Sequence, residues 1–294
     1  MGIAVVGSLN MDMVVTAPRI PLKGETILGK RLDYFPGGKG ANQAYALGRL
    51  GDRPAMYGCV GSDLFAHRLI DSLAATNVCT DSIRRLDDEQ TGVALITVGE
   101  ADNTIVVVQG ANSRVDRTYA DTVKSDLLHS DLVMLQLEIP LDTVCYISAF
   151  CHQAGVPVLL NPAPAMPLPR ELLDQVTWIT PNEHEARQIF GHADALDILL
   201  RRYPGKLIVT LGKEGSAAAT GDGQVLRVPA IRTRVVDTTG AGDTFNAAFA
   251  YAISRDHQLM QALLFANTAA GISTEKLGAQ NGMPTLAQVL ERLP

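Results

Sequence analysis

Residues 131–161, DLVMLQLEIPLDTVCYISAFCHQAGVPVLLN, read as strand, helix and strand in succession. The apolar run 131–137 has strand length, 141–153 has the length and apolar spacing of a helix, and 156–161 is again a short apolar run. Two strands joined by one helix form a βαβ unit, whose right-handed crossover makes the strands parallel. The alternation continues on both sides. A helix over 116–128 precedes the unit. A short helix at 170–175, a strand at 176–180, helices at 182–190 and 194–202, and a strand at 206–211 follow it. Nearer the N-terminus, 2–8 and 54–60 read as strands, and 44–50 and 64–75 as helices. Helices over 243–255, 258–273 and 285–293 close the chain. Strands alternating with helices imply an α/β fold: a mainly parallel sheet covered on both faces. Two pieces break the pattern. Residues 12–35 mix β-branched residues with Pro18, Pro21, Gly24 and Gly29, and 91–110 reads as strands 91–98 and 104–109 around the turn 99–103. Together they read as a small β-rich excursion from a single domain spanning 1–294.

Composition narrows the function. Of 294 residues, 47% are hydrophobic and 19% charged, which describes an apolar globular chain. The net charge of −6 and the lack of a basic stretch argue against a nucleic-acid surface. Cys59, Cys79, Cys145 and Cys151 form no CxxC pair and no cluster with histidine, so reduced thiols and a cytoplasmic location are expected. No signal peptide and no membrane span is expected.

The chemistry is concentrated in 234–255, RVVDTTGAGDTFNAAFAYAISR. Arg234–Val236 read as a strand end, Asp237-Thr238-Thr239 as a polar corner, and Gly240-Ala241-Gly242 as a turn into a helix that begins near Asp243. Unpaired amides at a helix start, with the helix dipole behind them, make a site for anionic oxygens. An acidic residue there is a base beside an anion hole, a pairing that suits phosphoryl transfer to an alcohol. The competing reading is an ordinary helix start with Asp243 as N-cap.

Ligands of open parallel sheets sit beyond the carboxyl ends of the strands. Asn10, Asp12, Glu138, Asn161, Asn182, Glu185, Thr210 to Gly212, and Asp237 all fall at such positions. Asn10 and Asp12 share a face in extended geometry and suit neighbouring sugar hydroxyls, unless they close an Asx-turn. The loop 36–43, PGGKGANQ, has neither the GxGxxG spacing nor the GK[ST] ending of nucleotide loops, so Lys39 and Asn42 are better placed for a small ligand. Asn182 and Glu185 lie on one helix face. They suit a hydrated Mg²⁺, or form a capping pair.

DTTGAGDTFNAAF (237–249) resembles the second signature of the PfkB carbohydrate-kinase family, and PGGKGANQAYALGRLG (36–51) its first. GSLNMD (7–12), LQLEIP (135–140), NPAPA (161–165), TPNEHEA (180–186), VTLGKEG (209–215) and KLGAQNGMP (276–284) extend the resemblance from end to end. The GGKGANQA and NMD forms are most similar to the ribokinase branch. The resemblance implies a ribokinase-like three-layer α/β/α fold with a β lid that also forms a homodimer clasp. It implies Asp243 as catalytic base, with the amides of Gly240, Ala241 and Gly242 as anion hole. It implies a sugar site of Asn10, Asp12, Gly38, Lys39, Gly40, Ala41, Asn42 and Glu138. ATP would contact Asn182, Thr210, Leu211, Gly212, Lys213, Glu214, Gly215, Gly242 and Asn267. Asn182 and Glu185 would organise Mg²⁺ through water, and Asp237, Thr239, Ser273, Lys276, Gly278 and Gly282 a K⁺ ion. Gly282 departs from the pattern, standing where a small hydroxyl residue often sits.

The expected activity is ATP-dependent phosphorylation of D-ribose at O5. Its rivals are another kinase of the family, acting on deoxyribose, ketodeoxygluconate, fructose or a nucleoside, and a non-catalytic sugar sensor. An intact Asp243 with its glycines argues against a sensor, and the missing dinucleotide spacing against a dehydrogenase.

Overall fold

The computed structural model describes residues 2–100, 102–191 and 195–294. The first residue of the expected helix 194–202 and the centre of the expected turn 99–103 lie outside the described residues. Six strands form the central sheet in the order Trp178–Ile179, Val158–Asn161, Leu132–Gln136, Ile3–Val6, Ala55–Gly61, Ile83–Leu86, and every neighbouring pair is parallel. Isolated parallel bridges from Ile179 to Leu207 and from Asn182 to Thr210 attach an antiparallel group, Ile208–Thr210, Ser216–Ala219 and Val225–Val228, to one side.

The strands are apolar at nearly every position because both faces are covered. Ile3, Val5, Leu132 and Met134 point into one core, shared with the helices Lys39–Arg49, Leu64–Ala74, Ala241–Ile253, Leu259–Ser273 and Leu286–Arg292. Ala4, Val6, Val133 and Leu135 point into the other, shared with Arg117–Leu128, Leu141–Ala154, Arg170–Gln175, Glu183–Phe190 and Leu196–Arg202. The result is the three-layer α/β/α fold, and 131–161 forms its βαβ unit as expected.

A separate four-stranded sheet stands over one rim, in the order Arg31–Gly37, Asn10–Thr16, Gly92–Gly99, Asp102–Val108. Its register sets Asn10 level with Gly37 on one side and Gly92 on the other, so the end of this sheet meets the end of the central one. Asn10 and Asp12 therefore lie within a lid strand, with no Asx-turn closing the strand before them.

One expectation needs correction, and two strands were not foreseen. Residues 234–236 form no strand. The amides of Val236 and Asp237 both donate to the carbonyl of Thr274, at 2.8 and 3.1 Å, so this segment is tied to a helix end rather than to a neighbouring strand. Ile83–Leu86 is an edge strand that carries two arginines and is only four residues long, too short and too charged to stand out. Ser216–Ala219 is a buried strand built of small residues, which have little β preference of their own.

Candidate active site

The Lys39–Arg49 helix begins against the end of the first strand. Gly38 holds φ 89° there, and a Cβ on it would stand 2.7 Å from the Asn10 nitrogen and 2.8 Å from the Ser8 oxygen. A Cβ on Gly40 would come within 2.7 Å of the Gly7 backbone. The amide of Ala41 donates to Ser8 O at 2.9 Å. Glycine is thus required for the loop to lie flat on the strand end, and that contact presents Lys39 and Asn42 to the rim.

Glu138 follows the strand Leu132–Gln136. Its Oε2 accepts from the Ser8 hydroxyl, from the Lys39 amide at 3.0 Å and from Asn10 Nδ2 at 3.5 Å. Asn10 Oδ1 is held by Asn112 Nδ2 at 2.7 Å. Among the described residues no hydrogen bond reaches the carboxylate of Asp12, which packs on Gly37. Burial, then the nearby Glu138 and Asp243, push the Asp12 carboxyl up to about 7, against the pull of Lys39. Burial opposes the charge on Lys39, but Asp243, Glu138, Glu185 and Asp12 together outweigh it and hold its pKa above the usual range. One cation therefore stands among four carboxylates.

Asp243 lies in the first turn of the Ala241–Ile253 helix and is 6% exposed. Its Oδ2 accepts from Asn42 Nδ2 at 2.9 Å and its Oδ1 from Gln43 Nε2 at 3.3 Å. Burial raises its pKa, against Lys39 and these two amide donors, and Glu138 adds to the rise. The N-cap is Gly240 at φ 77°, so Asp243 is not the cap. The first intrahelical bond runs from Thr244 N to Gly240 O, and Ala241 N closes a turn onto Thr238 O at 3.2 Å. The amides of Gly242 and Asp243 belong to the first turn, which has no helical carbonyl to offer them. A buried carboxylate and a helix end with unpaired amides thus occupy the same few ångströms.

Asn182 and Glu185 form the capping pair: Glu185 N donates to Asn182 Oδ1 at 2.9 Å and Asn182 N to Glu185 Oε2 at 2.8 Å. The pairing engages one carboxylate oxygen and leaves Oε1. Burial raises the pKa of Glu185, opposed by the Asn182 amide and Lys39. Thr210, Leu211, Gly212, Lys213 and Glu214 end a strand and turn tightly, with Leu211 N bonded to Gly215 O at 2.8 Å. Gly215 (φ 93°) has the Val228 carbonyl where a Cβ would be, and Asn267 Nδ2 donates to that same carbonyl at 2.8 Å. A shallow cleft of about 480 Å³, lined by Glu183, Leu196, Leu211, Glu214, Arg227 and Pro229, opens beside this turn.

Asp237 Oδ1 accepts from the amide and hydroxyl of Thr239, and Oδ2 from the Gly278 amide at 2.8 Å. Burial raises its pKa, but these donors win and hold it below the usual carboxylate range. The Asp237 carboxylate thereby ties the 237–239 corner to Gly278 in the 276–282 loop. Gly282 packs on Ser273, whose carbonyl oxygen would be 2.0 Å from a Cβ. A side-chain hydroxyl has no room at 282, so this position can offer a cation only its backbone oxygen.

Sequence reasoning missed Gln43, Gln136, Asn112 and Gln280, which are all buried here. The available signal was a polar residue at a core-facing position of an apolar element, as with Gln136 in LVMLQL.

The sequence pattern of the pfkB family carbohydrate kinases matches residues 2–286. The ribokinase of Bacillus subtilis is 45% identical over 291 residues, covering 99% of each chain. That of Lactococcus lactis is 41% identical over 293 residues, covering 99% of this chain and 96% of the relative. Among solved structures, the Arabidopsis thaliana ribokinase complexed with ribose and ATP superposes with a TM-score of 0.92 at 32% identity, over 99% of this chain and 98% of that one.

Proposed function

The chain belongs to the pfkB family of carbohydrate kinases and is an ATP-dependent sugar kinase, and we propose that its acceptor is D-ribose, phosphorylated at O5 to ribose 5-phosphate. The observation that carries the proposal is Asp243. It is buried, held through both oxygens by amide donors, and set in the first turn of a helix, where the amides lack helical carbonyls. Asp243 accepts the hydroxyl proton as the γ-phosphoryl group transfers in line, and the amides of the first turn take the charge that develops on it. Asn10, Asp12, Lys39 and the free oxygen of Glu138 suit the vicinal hydroxyls of a furanose. A raised pKa makes Asp243 a stronger base, yet it works only when ionised, so turnover should fall as pH drops through that pKa.

Glu185 Oε1, with Asn182 beside it, would hold a hydrated Mg²⁺. Bound there, the ion supplies charge neutralisation for the nucleotide phosphates. Asp237, with carbonyls of the 273–282 segments, would hold a K⁺ ion, its carboxylate kept below the usual range supplying charge for a weakly charged cation. No helix among the described residues is long and apolar enough to cross a membrane, and the four cysteines are unpaired, which supports a reducing cytoplasm. A homodimer through the lid is supported by its edge strand, where Ile105, Val106, Val107 and Val108 are all exposed.

The test is a phosphorylation screen over ribose, deoxyribose, fructose, ketodeoxygluconate and nucleosides. The highest kcat/KM is expected on ribose. A higher value on any other acceptor overturns the substrate, and no turnover on any of them restores a binding role. The same assay should run faster in K⁺ than in Na⁺, and equal rates would remove the monovalent-cation site.

A further inference from the structure

We propose that Gln43 and Gln136 are positioning residues for Asp243: two buried amides in series whose fixed polarity delivers an N–H to one oxygen of the carboxylate. The proposal rests on the reading of Asp243 as the base. Gln136 Nε2 donates to Gln43 Oε1 at 2.7 Å, and Gln43 Nε2 donates to Asp243 Oδ1 at 3.3 Å and to Asn161 Oδ1 at 3.3 Å. Both glutamines are fully buried, and they lie on different elements, the Lys39–Arg49 helix and the Leu132–Gln136 strand.

The polarity follows from the carboxylate. An ionised Asp243 can only accept, so Gln43 must turn its nitrogen towards it. The Gln43 oxygen then faces Gln136, which must donate. That leaves the oxygen of Gln136 over. Among the described residues no donor reaches Gln136 Oε1, and the atom lies against Gly7, where a Cβ would be only 1.9 Å away. Turning Gln136 around would set oxygen against oxygen at Gln43, or make Gln43 turn its own oxygen on Asp243. The mismatch is therefore kept at the far end of the relay, two amides away from the base.

The other oxygen is served in the same way. The Ser72 hydroxyl donates to Gln280 Oε1 at 2.9 Å, Gln280 Nε2 to Asn42 Oδ1 at 3.2 Å, and Asn42 Nδ2 to Asp243 Oδ2 at 2.9 Å. One amide donor on each oxygen fixes the plane of the carboxylate. The charged groups facing Asp243 are Lys39, which favours its ionised form, and Glu138 and Asp12, which oppose it. The relays add donors to this balance without adding charge.

Gln43→Met removes the donor at nearly constant size. Gln136→Met removes only the residue that aims it and never touches Asp243. For both, kcat/KM against pH, the sugar KM and the melting temperature are measured beside wild type and Asp243→Asn. Expected are an acidic limb displaced to higher pH in both variants, kcat at neutral pH lower by about 10-fold in Gln43→Met and about 3-fold in Gln136→Met, and a sugar KM within about twofold. A purely structural role would lower the melting temperature and leave the acidic limb in place. If Gln43→Met does not fold, Gln136→Met carries the test. An inactive Asp243→Asn together with wild-type acidic limbs in the glutamine variants overturns the relay alone. An active Asp243→Asn overturns the base on which it rests.

Discussion

Asp243→Asn is expected to lower kcat by about 10³-fold or more, while sugar binding persists. The substitution keeps the shape of the side chain and removes its ability to take a proton. It also disturbs what surrounds it. The native carboxylate meets an amide donor at each oxygen, from Asn42 and from Gln43. An asparagine has only one oxygen, so its nitrogen must face one of these donors, and a relay must turn to relieve the clash. The missing base and the misdirected hydrogen bond both act on the chemical step, so the loss should fall on kcat rather than on sugar affinity. Calorimetric titration of sugar into the variant, together with single-turnover phosphorylation, separates the two. Turnover within about tenfold of wild type would show that the proton leaves by another route.

Much of this site could be read from the chain because its parts sit where the fold changes element. Asp243, Glu138 and the 210–215 turn all follow a strand or open a helix, and the parallel sheet inferred from 131–161 puts such positions on one rim. Two things escaped. The segment 234–236 has β-favouring residues, yet its backbone is bonded to the end of the Leu259–Ser273 helix, a partner far along the chain that local pattern does not show. Gln136 is a single polar residue in an apolar strand and Gln43 is one of several in its helix, and their meaning depends on a contact across 93 residues of sequence. Asn182 and Glu185 show a different limit. The same spacing serves a capping box and a metal site, and the structure forms the capping box while leaving one carboxylate oxygen over.

Lys39→Met should be nearly as damaging as loss of the base, for an electrostatic reason. Asp12, Glu138, Asp243 and Glu185 all act on this one ammonium group, and all four oppose its deprotonation. Without it, Asp12, already pushed up to about 7, and Asp243, already raised, lose the charge that favours their ionised forms. Removing one partner from a buried charge cluster costs about 3–5 kcal/mol; felt wholly in the transition state, that is a loss of roughly 10²- to 10⁴-fold in kcat/KM at neutral pH. The pH dependence gives the sign. A carboxylate whose folded pKa lies above its unfolded value takes up a proton on folding, so it favours the folded state at low pH and opposes it as pH rises through the folded value. For Asp12 that window runs from its ordinary value near 3.8 up to about 7 in wild type, and it extends higher in the variant. Lys39→Met should therefore lose more melting temperature at pH 8.5 than at pH 5.5, and its acidic activity limb should move upward. Equal melting losses at both pH values, with an unmoved limb, would mean that Lys39 serves the sugar alone and not the charge balance of the site.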